Sequence, residues 1–195
     1  IFESYLGDES LTQDAFDEEG FYIIGDAGKL ADPLRPNKGI VFDGRVSEEF
    51  KLSSGTWVYV GALRVAIIDA FSPYIQDCVI AGMDRDYLTL MAFPTQELLD
   101  LIEGEPIGNP ALHPEVRSVM LERLRAYAEA NPSSSRKIER MIIMEPPPRL
   151  ELGEITDKSY INQRRVKALR ADRVEMLYAT KNIEGRVIQL SEAYE

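Results

Sequence analysis

The chain of 195 residues is long enough for one ordinary domain or two small ones, and 45% apolar and 28% charged residues indicate a globular protein with a core. A formal charge of −11 argues against a nucleic-acid duplex or an anionic membrane bound through bulk charge. One cysteine, Cys78, and one histidine, His113, exclude an intrachain disulfide and a zinc cluster. The sequence has neither an apolar run of about 18 residues nor a signal-peptide pattern, so we expect no membrane span and a cytoplasmic location.

The negative charge is concentrated at the beginning of the chain. Residues 1–50 contain 12 acidic and 4 basic residues, whereas residues 51–195 contain 21 and 18. The first 45 residues predict a short helix capped by Asp8 or Ser10, a strand over 21–24, a loop over 31–38 and a strand over 39–42. Two strands rarely bury enough apolar surface to be stable alone. We therefore expect residues 1–45 to need a partner sheet that this chain does not contain, and the start at Ile1 without a methionine indicates a piece of a longer protein.

From residue 46 onward the pattern predicts a small α+β domain with a three-stranded sheet core flanked by helices. Apolar residues at helical spacing, with caps and breakers, predict helices over 63–74, 95–102, 114–130 and 162–178. Continuous apolar runs predict strands over 77–82, 87–93 and 138–144. The sequence therefore divides at about residue 45 into a β-rich segment and an α+β domain.

Three short segments carry candidate chemistry, and each also has an ordinary structural explanation. In residues 16–26, Asp26 follows a strand and could accept both hydroxyls of a ribose, or simply form a turn. In residues 42–58, Lys51 and the Ser53–Thr56 loop could present amides and hydroxyls to phosphate, or form a turn between strands. In residues 152–165, Lys158 precedes a basic helix, and a surface lysine usually only aids solubility.

The order and spacing of these segments resemble the carboxyl-terminal third of the adenylate-forming acyl-CoA synthetase superfamily. Residues 16–26, FDEEGFYIIGD, resemble its Gly-Asp motif, and Arg45 begins a segment that resembles its hinge motif. Lys158 lies where that superfamily has a late catalytic lysine. Four segments are similar in sequence to the feruloyl-CoA synthetase branch: residues 42–45 (FDGR), 50–58 (FKLSSGTWV), 153–158 (GEITDK) and 161–164 (INQR).

The resemblance implies ATP-dependent formation of an acyl-adenylate, followed by transfer of the acyl group to CoA, with a hydroxycinnamate such as ferulate as the acid. It implies Lys158 as the catalytic residue, Asp26 and Arg45 as nucleotide-binding residues, and Ser47 as the hinge, although the family more often has Asp or Lys there. It implies a loop for CoA and thiolation at Lys51, Ser53, Ser54, Gly55 and Thr56.

The chain does not contain the family's phosphate loop or its acyl-binding half. ATP with Mg is therefore expected to bind mainly to a large adenylation domain, which would be the partner of this chain. The resemblance implies that residues 1–45 are the β-rich end of that large domain and that residues 46–195 are the mobile C-terminal α+β domain. The chain alone is expected to be inactive, and its N-terminal strands are exposed enough to support a dimer. The alternative is a stand-alone interaction or regulatory module that has this fold but no catalysis.

The remaining distinctive residues have structural interpretations. Trp57 is expected to pack in the core, His113 to cap or solvate the start of its helix, and Cys78 to be an inert core thiol. The basic side chains after Lys158 could meet the phosphates of CoA, but exposure to solvent is the favoured interpretation. These side chains are Arg164, Arg165, Lys167, Arg170 and Arg173.

Overall fold

The computed structural model describes residues 2–105, 108–156, 158–180 and 185–192, with the backbone alone for Asp43 and Gly44. The chain divides into two compact units, Ile1–Ser47 and Glu48–Glu195. The buried apolar side chains of the described residues all lie between Phe50 and Ile188. The second unit therefore contains the hydrophobic core.

The first unit contains one short helix and one β-hairpin. Helix α1, Glu9–Asp14, is capped by Asp8, whose carboxylate accepts the Leu11 amide at 2.8 Å. Strand β1, Asp26–Leu30, pairs antiparallel with β2, Ile40–Arg45, around a 3₁₀ turn at Pro36–Lys38. The cap at Asp8 and the strand near residue 40 confirm the sequence prediction.

The strand predicted over residues 21–24 is wrong. Only an isolated bridge between Phe16 and Tyr22 forms there, and the strand begins at Asp26 instead. Phe21, Ile23 and Ile24 are exposed by 66%, 53% and 68%. An apolar run predicts a strand because such residues are usually buried in a sheet, and in this unit they are not.

The second unit is built on a four-stranded sheet in the order β5-β6-β7-β8. Strands β6 and β7 run parallel, and the other two pairs are antiparallel. A small separate hairpin, β3 and β4, precedes the sheet. The strands are β3 Phe50–Lys51, β4 Trp57–Val58, β5 Ile75–Ala81, β6 Leu88–Pro94, β7 Ile138–Ile143 and β8 Val187–Gln189. The helices are α2 Val60–Phe71, α3 Gln96–Leu99, α4 Pro114–Ala130, α5 Gln163–Leu169 and α6 Ala171–Tyr178.

The sheet separates two hydrophobic clusters, because successive side chains of a strand point to opposite faces. Leu90 and Ala92 of β6 pack with α2 and α4, whereas Met91 and Phe93 pack in the cluster of α5 and α6. Strand β6 is buried on both faces, which explains its continuous apolar sequence. The second unit is thus an α+β domain of helices on both sides of a sheet. None of its described helices has the length and apolar character that a membrane crossing requires.

Two details of the second unit correct the prediction. The sheet has a fourth strand, β8, rather than three strands, and its three residues are too few to give a sequence pattern. The helix predicted over 162–178 is two helices that meet at Arg170, whose backbone angles of φ −114° and ψ 38° interrupt the helical path. The helices and strands predicted between residues 63 and 144 are otherwise present, with shifted ends.

Candidate active site

Lys158 lies at the tip of a tight hairpin that precedes α5. The Thr156 amide donates to the Tyr160 carbonyl at 2.8 Å, and the Ser159 amide donates to the Thr156 carbonyl at 2.8 Å. Ser159 adopts a positive φ of 63°, which turns the chain back on itself. Lys158, Ser159 and Tyr160 are exposed. The hairpin therefore presents one ammonium group to solvent on a short and well-bonded turn.

The stem of this hairpin is partly buried, in contrast to its tip, since Glu154 and Ile161 are buried and Ile155 is half-buried. The backbone N–H of Asn162 donates to the Glu154 carbonyl at 2.9 Å, and Ile155 pairs with Ile161 in a β-bridge. Asn162 also caps α5, since its side chain accepts the Arg165 amide at 3.0 Å. The stem thus connects the tip directly to the first turn of α5.

Gln163, the first residue of α5, attaches the stem to the edge of the sheet. Its side chain accepts the Ile80 amide at 3.0 Å and donates to the Cys78 carbonyl at 2.8 Å. Gln163 is 1% exposed, so both bonds are made in the interior. The side chain occupies the place that a neighbouring strand would take along β5.

Glu154 and Arg170 form a buried ion pair at the base of the same hairpin. The two Glu154 oxygens accept Nε and Nη2 of Arg170 at 2.6 and 2.8 Å. Glu154 is 1% exposed and Arg170 is 8% exposed. The paired guanidinium lowers the pKa of the Glu154 carboxyl below its usual value, and the bond from the Arg149 amide acts in the same direction.

The predicted CoA loop is the turn of the β3–β4 hairpin, and its backbone amides are mostly occupied. The Ser53 amide donates to the Arg85 carbonyl at 2.9 Å, and the Gly55 amide donates to the Leu52 carbonyl at 2.8 Å. The Ser53 hydroxyl donates to Asp86 at 2.6 Å, and the hydroxyls of Ser54 and Thr56 are 3.0 Å apart. The Ser53 and Gly55 amides are thus already bonded within the domain, which leaves fewer backbone donors in this turn for a phosphate.

The expectation that Trp57 packs in the core is wrong. Trp57 is 49% exposed on the solvent face of β4, and its cross-strand partner Lys51 places Nζ 4.7 Å from the ring centroid. Val58 takes the buried position beside it. The alternation of the strand therefore exposes the indole and buries the smaller residue.

Asp26 and Arg45, the two predicted nucleotide-binding residues, are brought together in the first unit. They are paired across β1 and β2, and the Arg45 Nε lies 4.0 Å from a carboxylate oxygen of Asp26. Their side chains are 45% and 47% exposed. A half-exposed carboxylate beside a guanidinium offers both an acceptor and donors to a diol. Ser47, the predicted hinge, lies in the 3₁₀ turn Val46–Glu48 at the end of this unit and is exposed.

The basic side chains after Lys158 do not share one environment. Arg164 and Arg165 are exposed, as predicted, but Arg170 is buried and Lys167 lies over the Phe50 ring at 5.3 Å. Burial lowers the pKa of the Lys167 ammonium, and the nearby Glu48 partly offsets this effect. The side chain of Arg173 is 29% exposed. The exposed interpretation is therefore wrong for Arg170 and only partly right for Lys167 and Arg173.

Cys78 and His113 are structural in their surroundings. Cys78 is fully buried in β5, and burial raises the pKa of its thiol, which confirms the inert core thiol. His113 occupies the N-cap position of α4, but its ring makes no capping hydrogen bond. Its backbone carbonyl accepts the Arg117 amide at 2.9 Å. Within the described ranges, no group of three or more histidine, cysteine or acidic side chains is arranged to hold a metal ion.

Sequence reasoning missed the three residues that support the Lys158 hairpin. Local sequence patterns do not predict the burial of these polar residues, which are Glu154, Gln163 and Arg170. Glu154 and Gln163 nevertheless lie within the segment that carries Lys158. The only signal was their closeness to Lys158 in the chain. Their role depends on contacts with residues 145–149 and with β5, which a single sequence does not reveal.

Comparison with known proteins supplies a family. A family model described as the AMP-binding enzyme C-terminal domain matches residues 51–182, more than half of the chain. Carboxylic acid reductase from Mycobacterium marinum is 29% identical over 180 residues, which are 91% of this chain and 14% of the reductase. A probable CoA ligase from Humulus lupulus is 24% identical over 162 residues, which are 81% of this chain and 24% of the ligase.

Solved structures agree with this family. The adenylation domain of carboxylic acid reductase from Segniliparus rugosus, in complex with AMP and a co-purified carboxylic acid, has a TM-score of 0.70 at 28% identity and covers 91% of this chain. That of Mycobacterium chelonae has a TM-score of 0.72 at 27% identity and also covers 91%. This chain spans only 26% of each of those domains. With a matching family model over most of the second unit, the chain belongs to the AMP-binding enzyme C-terminal domain family of adenylate-forming enzymes.

Proposed function

We propose that this chain is the carboxyl-terminal part of an enzyme that activates a carboxylic acid with ATP and transfers the acyl group to the thiol of CoA. The family assignment supports adenylate formation, and the relationship to a probable CoA ligase supports the thiol step. Because the chain spans 14% to 26% of its reductase relatives, a large adenylation portion would complete the active site. Alone, the chain would have no turnover.

The observation that carries this proposal is the exposed Lys158 at the tip of a short hairpin whose stem is partly buried. Adenylate formation brings a carboxylate against the α-phosphate of ATP, and both groups are anionic. An ammonium held between them would stabilise the charge that develops on the phosphate oxygens. A flexible surface lysine would have to be ordered at each turnover, whereas a lysine on a bonded turn is already partly ordered.

The other predicted residues fit supporting roles. The Asp26 carboxylate would accept the ribose hydroxyls, and Arg45 would add donors to the same ribose. Ser47 would be the hinge, since it lies in a single exposed turn between two compact units. The hydrogen-bonded turn of Ser53, Ser54, Gly55 and Thr56, with Lys51, would line the path of the CoA thiol in the second step.

We assign ATP with its Mg mainly to the large adenylation portion, because this chain spans only 26% of the adenylation domains of its reductase relatives. The exposed apolar side chains of the first unit, such as Ile24, Ile40 and Phe42, support a covering surface from that portion or from a second copy. For the acid we propose a hydroxycinnamate such as ferulate, because residues 153–158 and 161–164 are similar in sequence to the feruloyl-CoA synthetase branch.

A second acceptor follows from the relatives. A structure of the Segniliparus rugosus reductase contains the adenylation domain with an adjoining PCP domain, is 29% identical to this chain and covers 92% of it. The acyl group would then pass to a thiol attached to a protein instead of free CoA. Thioester formation measured with free CoA and with a carrier protein separates the two acceptors, since the adenylate step is common to both.

The decisive experiment is Lys158→Ala in the enzyme that contains this domain, with pyrophosphate release and thioester formation measured separately. We expect pyrophosphate release to fall by about 10²-fold, as for other positioned charges, with the thioester step from preformed adenylate much less affected. Arg164→Ala is the matched control, because Arg164 is an exposed cation on the neighbouring helix. Equal rates of pyrophosphate release for Lys158→Ala and the unaltered enzyme would overturn the assignment of Lys158 as the catalytic residue.

A further inference from the structure

The side chain of Arg170 joins four parts of the second unit at one buried point. Its Nη1 donates to the Pro146 carbonyl at 2.7 Å and its Nη2 to the Pro147 carbonyl at 3.0 Å, in addition to both bonds with Glu154. The guanidinium lies 5.3 Å from the ring centroid of Phe93 in β6. Arg170 is also the junction between α5 and α6. One side chain therefore connects the sheet, the proline segment, the hairpin base and the junction of the two helices.

Glu154 completes this arrangement on the hairpin side. Its Oε2 accepts the Arg149 amide at 2.9 Å as well as the Arg170 Nη2, so both carboxylate oxygens are engaged by N–H donors. Its own backbone carbonyl accepts the Asn162 amide at 2.9 Å. Glu154 therefore fixes, from one residue, both the beginning and the end of the loop that carries Lys158.

A buried ion pair of this kind contributes little net free energy to folding. Removing two charges from water costs about as much as their attraction returns, and apolar replacements are often equally stable. The pair instead fixes the orientation of the groups that it joins, because a guanidinium and a carboxylate meet in one planar geometry. Apolar side chains would fill the same space without fixing the angle at which the hairpin leaves the domain.

We propose that Glu154 and Arg170 are positioning residues that hold the Lys158 hairpin in one orientation relative to the sheet. The pair acts through the hairpin and touches no substrate. The proposal rests on the role of Lys158 given above only for its effect on the reaction. Its effect on the hairpin itself can be measured without any substrate.

The experiment is amide hydrogen exchange in the 195-residue chain with Glu154→Gln. A glutamine has the same shape but brings an NH₂ group against the donors of Arg170 or Arg149. We expect exchange at Thr156 and Ser159 to become faster by about tenfold or more, as in a local opening, while amides of β6 such as Leu90 change little. Glu175→Gln is the matched control, because Glu175 also pairs with an arginine, Arg85, at 2.6 Å, but on the surface.

Arg170→Lys is the second variant, since an ammonium keeps the charge but cannot reproduce the fork and both carbonyl contacts. It should accelerate exchange at the same two amides. Unchanged exchange in both variants would overturn the proposal, as would an equal rise in β6 or loss of the whole fold in both, because the pair would then act only on global stability.

In the enzyme that contains this domain, both variants should lower the kcat of adenylate formation by about tenfold, as expected for a misplaced catalytic group, with the KM for the acid nearly unchanged. A selective rise in KM would contradict positioning. If Lys158→Ala has no effect on adenylate formation, the proposed function is wrong, whereas the exchange result stands independently.

Discussion

Gln163 shows how a single side chain can substitute for part of a strand. Strand β5 is at the edge of the sheet, and the side-chain amide of Gln163 bonds to the Ile80 N–H and the Cys78 carbonyl on the side away from β6, where no described strand lies. A buried backbone group without a partner is costly, so this amide is required by the geometry of the edge. The same contacts fix the start of α5 and the exit of the Lys158 hairpin.

Gln163→Leu should therefore destabilise the domain. It leaves one buried donor and one buried acceptor unsatisfied, and we expect a loss of about 2–4 kcal/mol in the free energy of unfolding. Urea denaturation measures this loss. Gln76→Leu is the control, since Gln76 bonds to the Pro94 carbonyl at 3.1 Å in an exposed position and should change stability far less. Equal losses in the two variants would refute the special role of Gln163.

Glu154 makes a prediction about acid stability. Its pKa is lowered in the folded chain, first by the bond from Arg170. A carboxyl with a depressed folded pKa contributes stability that is present above its unfolded pKa of about 4.3 and is lost as the pH falls through the folded pKa. The unfolding free energy of the chain should exceed that of Glu154→Gln at pH 7, and the difference should shrink below about pH 4. A difference that is independent of pH would show that the carboxylate charge contributes nothing.

At the same scale, the motifs in the sequence pointed to exposed residues of the candidate site but not to the buried ones. Lys158, Asp26 and Arg45 were selected from motifs, and the structure places the last two side by side. Arg170 was expected in solvent because basic side chains on a helix usually are. Its burial depends on two proline carbonyls more than twenty residues away, which helical periodicity does not encode.

At the scale of elements, the β3–β4 hairpin depends on two glycines for different reasons. Gly55 in the turn has a φ of +81°, and no atom lies within 4 Å of the place that a Cβ atom would take, so its requirement is conformational. Gly82 lies after β5, where a Cβ atom would approach Leu88 to 2.7 Å and Phe50 to 3.0 Å. Its requirement is space in the core beneath the hairpin.

The positive φ of Gly55 and the lack of space at Gly82 predict that the two alanine variants lose stability for different reasons. Gly55→Ala should lower the free energy of unfolding by about 1 kcal/mol through its backbone angle, and Gly82→Ala by about 1–3 kcal/mol through overpacking. A smaller residue at position 88, as in Leu88→Val, should relieve part of the second loss and none of the first. Urea denaturation of the single and double variants measures both. Relief of Gly55→Ala by the same change would contradict the distinction.

The elements that could be predicted are those whose own residues carry the pattern. Helix α4 shows its apolar stripe, its Pro114 start and its Asn131 end, and β6 shows a continuous apolar run. The strand expected at 21–24 failed because its apolar residues are exposed in this unit. Strand β8 was not predicted, because its three residues are too few to show a pattern and form a strand only by pairing with β7.

At the scale of the whole molecule, charge and burial are unevenly distributed along the chain. The first 50 residues carry 12 acidic and 4 basic residues, whereas residues 158–173 carry six basic residues and one acidic. The total of −11 therefore says little about the field near Lys158, where an anionic nucleotide would bind. The buried apolar side chains of the described residues begin at Phe50, so the sources of stability are also unequal.

This inequality predicts that residues 48–195 fold without residues 1–47, and Cys78 offers the means to test it. Cys78 is the single cysteine of the chain, fully buried in β5, and burial raises the pKa of its thiol. Both effects suppress the thiolate in the folded domain, so an alkylating reagent should react only when the domain opens.

We expect the rate of Cys78 alkylation in native buffer to be the same within about threefold for residues 1–195 and 48–195, because the core around β5 is complete in both. Both rates should rise to that of a free thiol in concentrated urea, which provides the internal reference. A much faster reaction in the shorter chain would mean that the first unit stabilises the core. The two units would then have to be regarded as one cooperative structure, despite the absence of buried apolar side chains before Phe50 among the described residues.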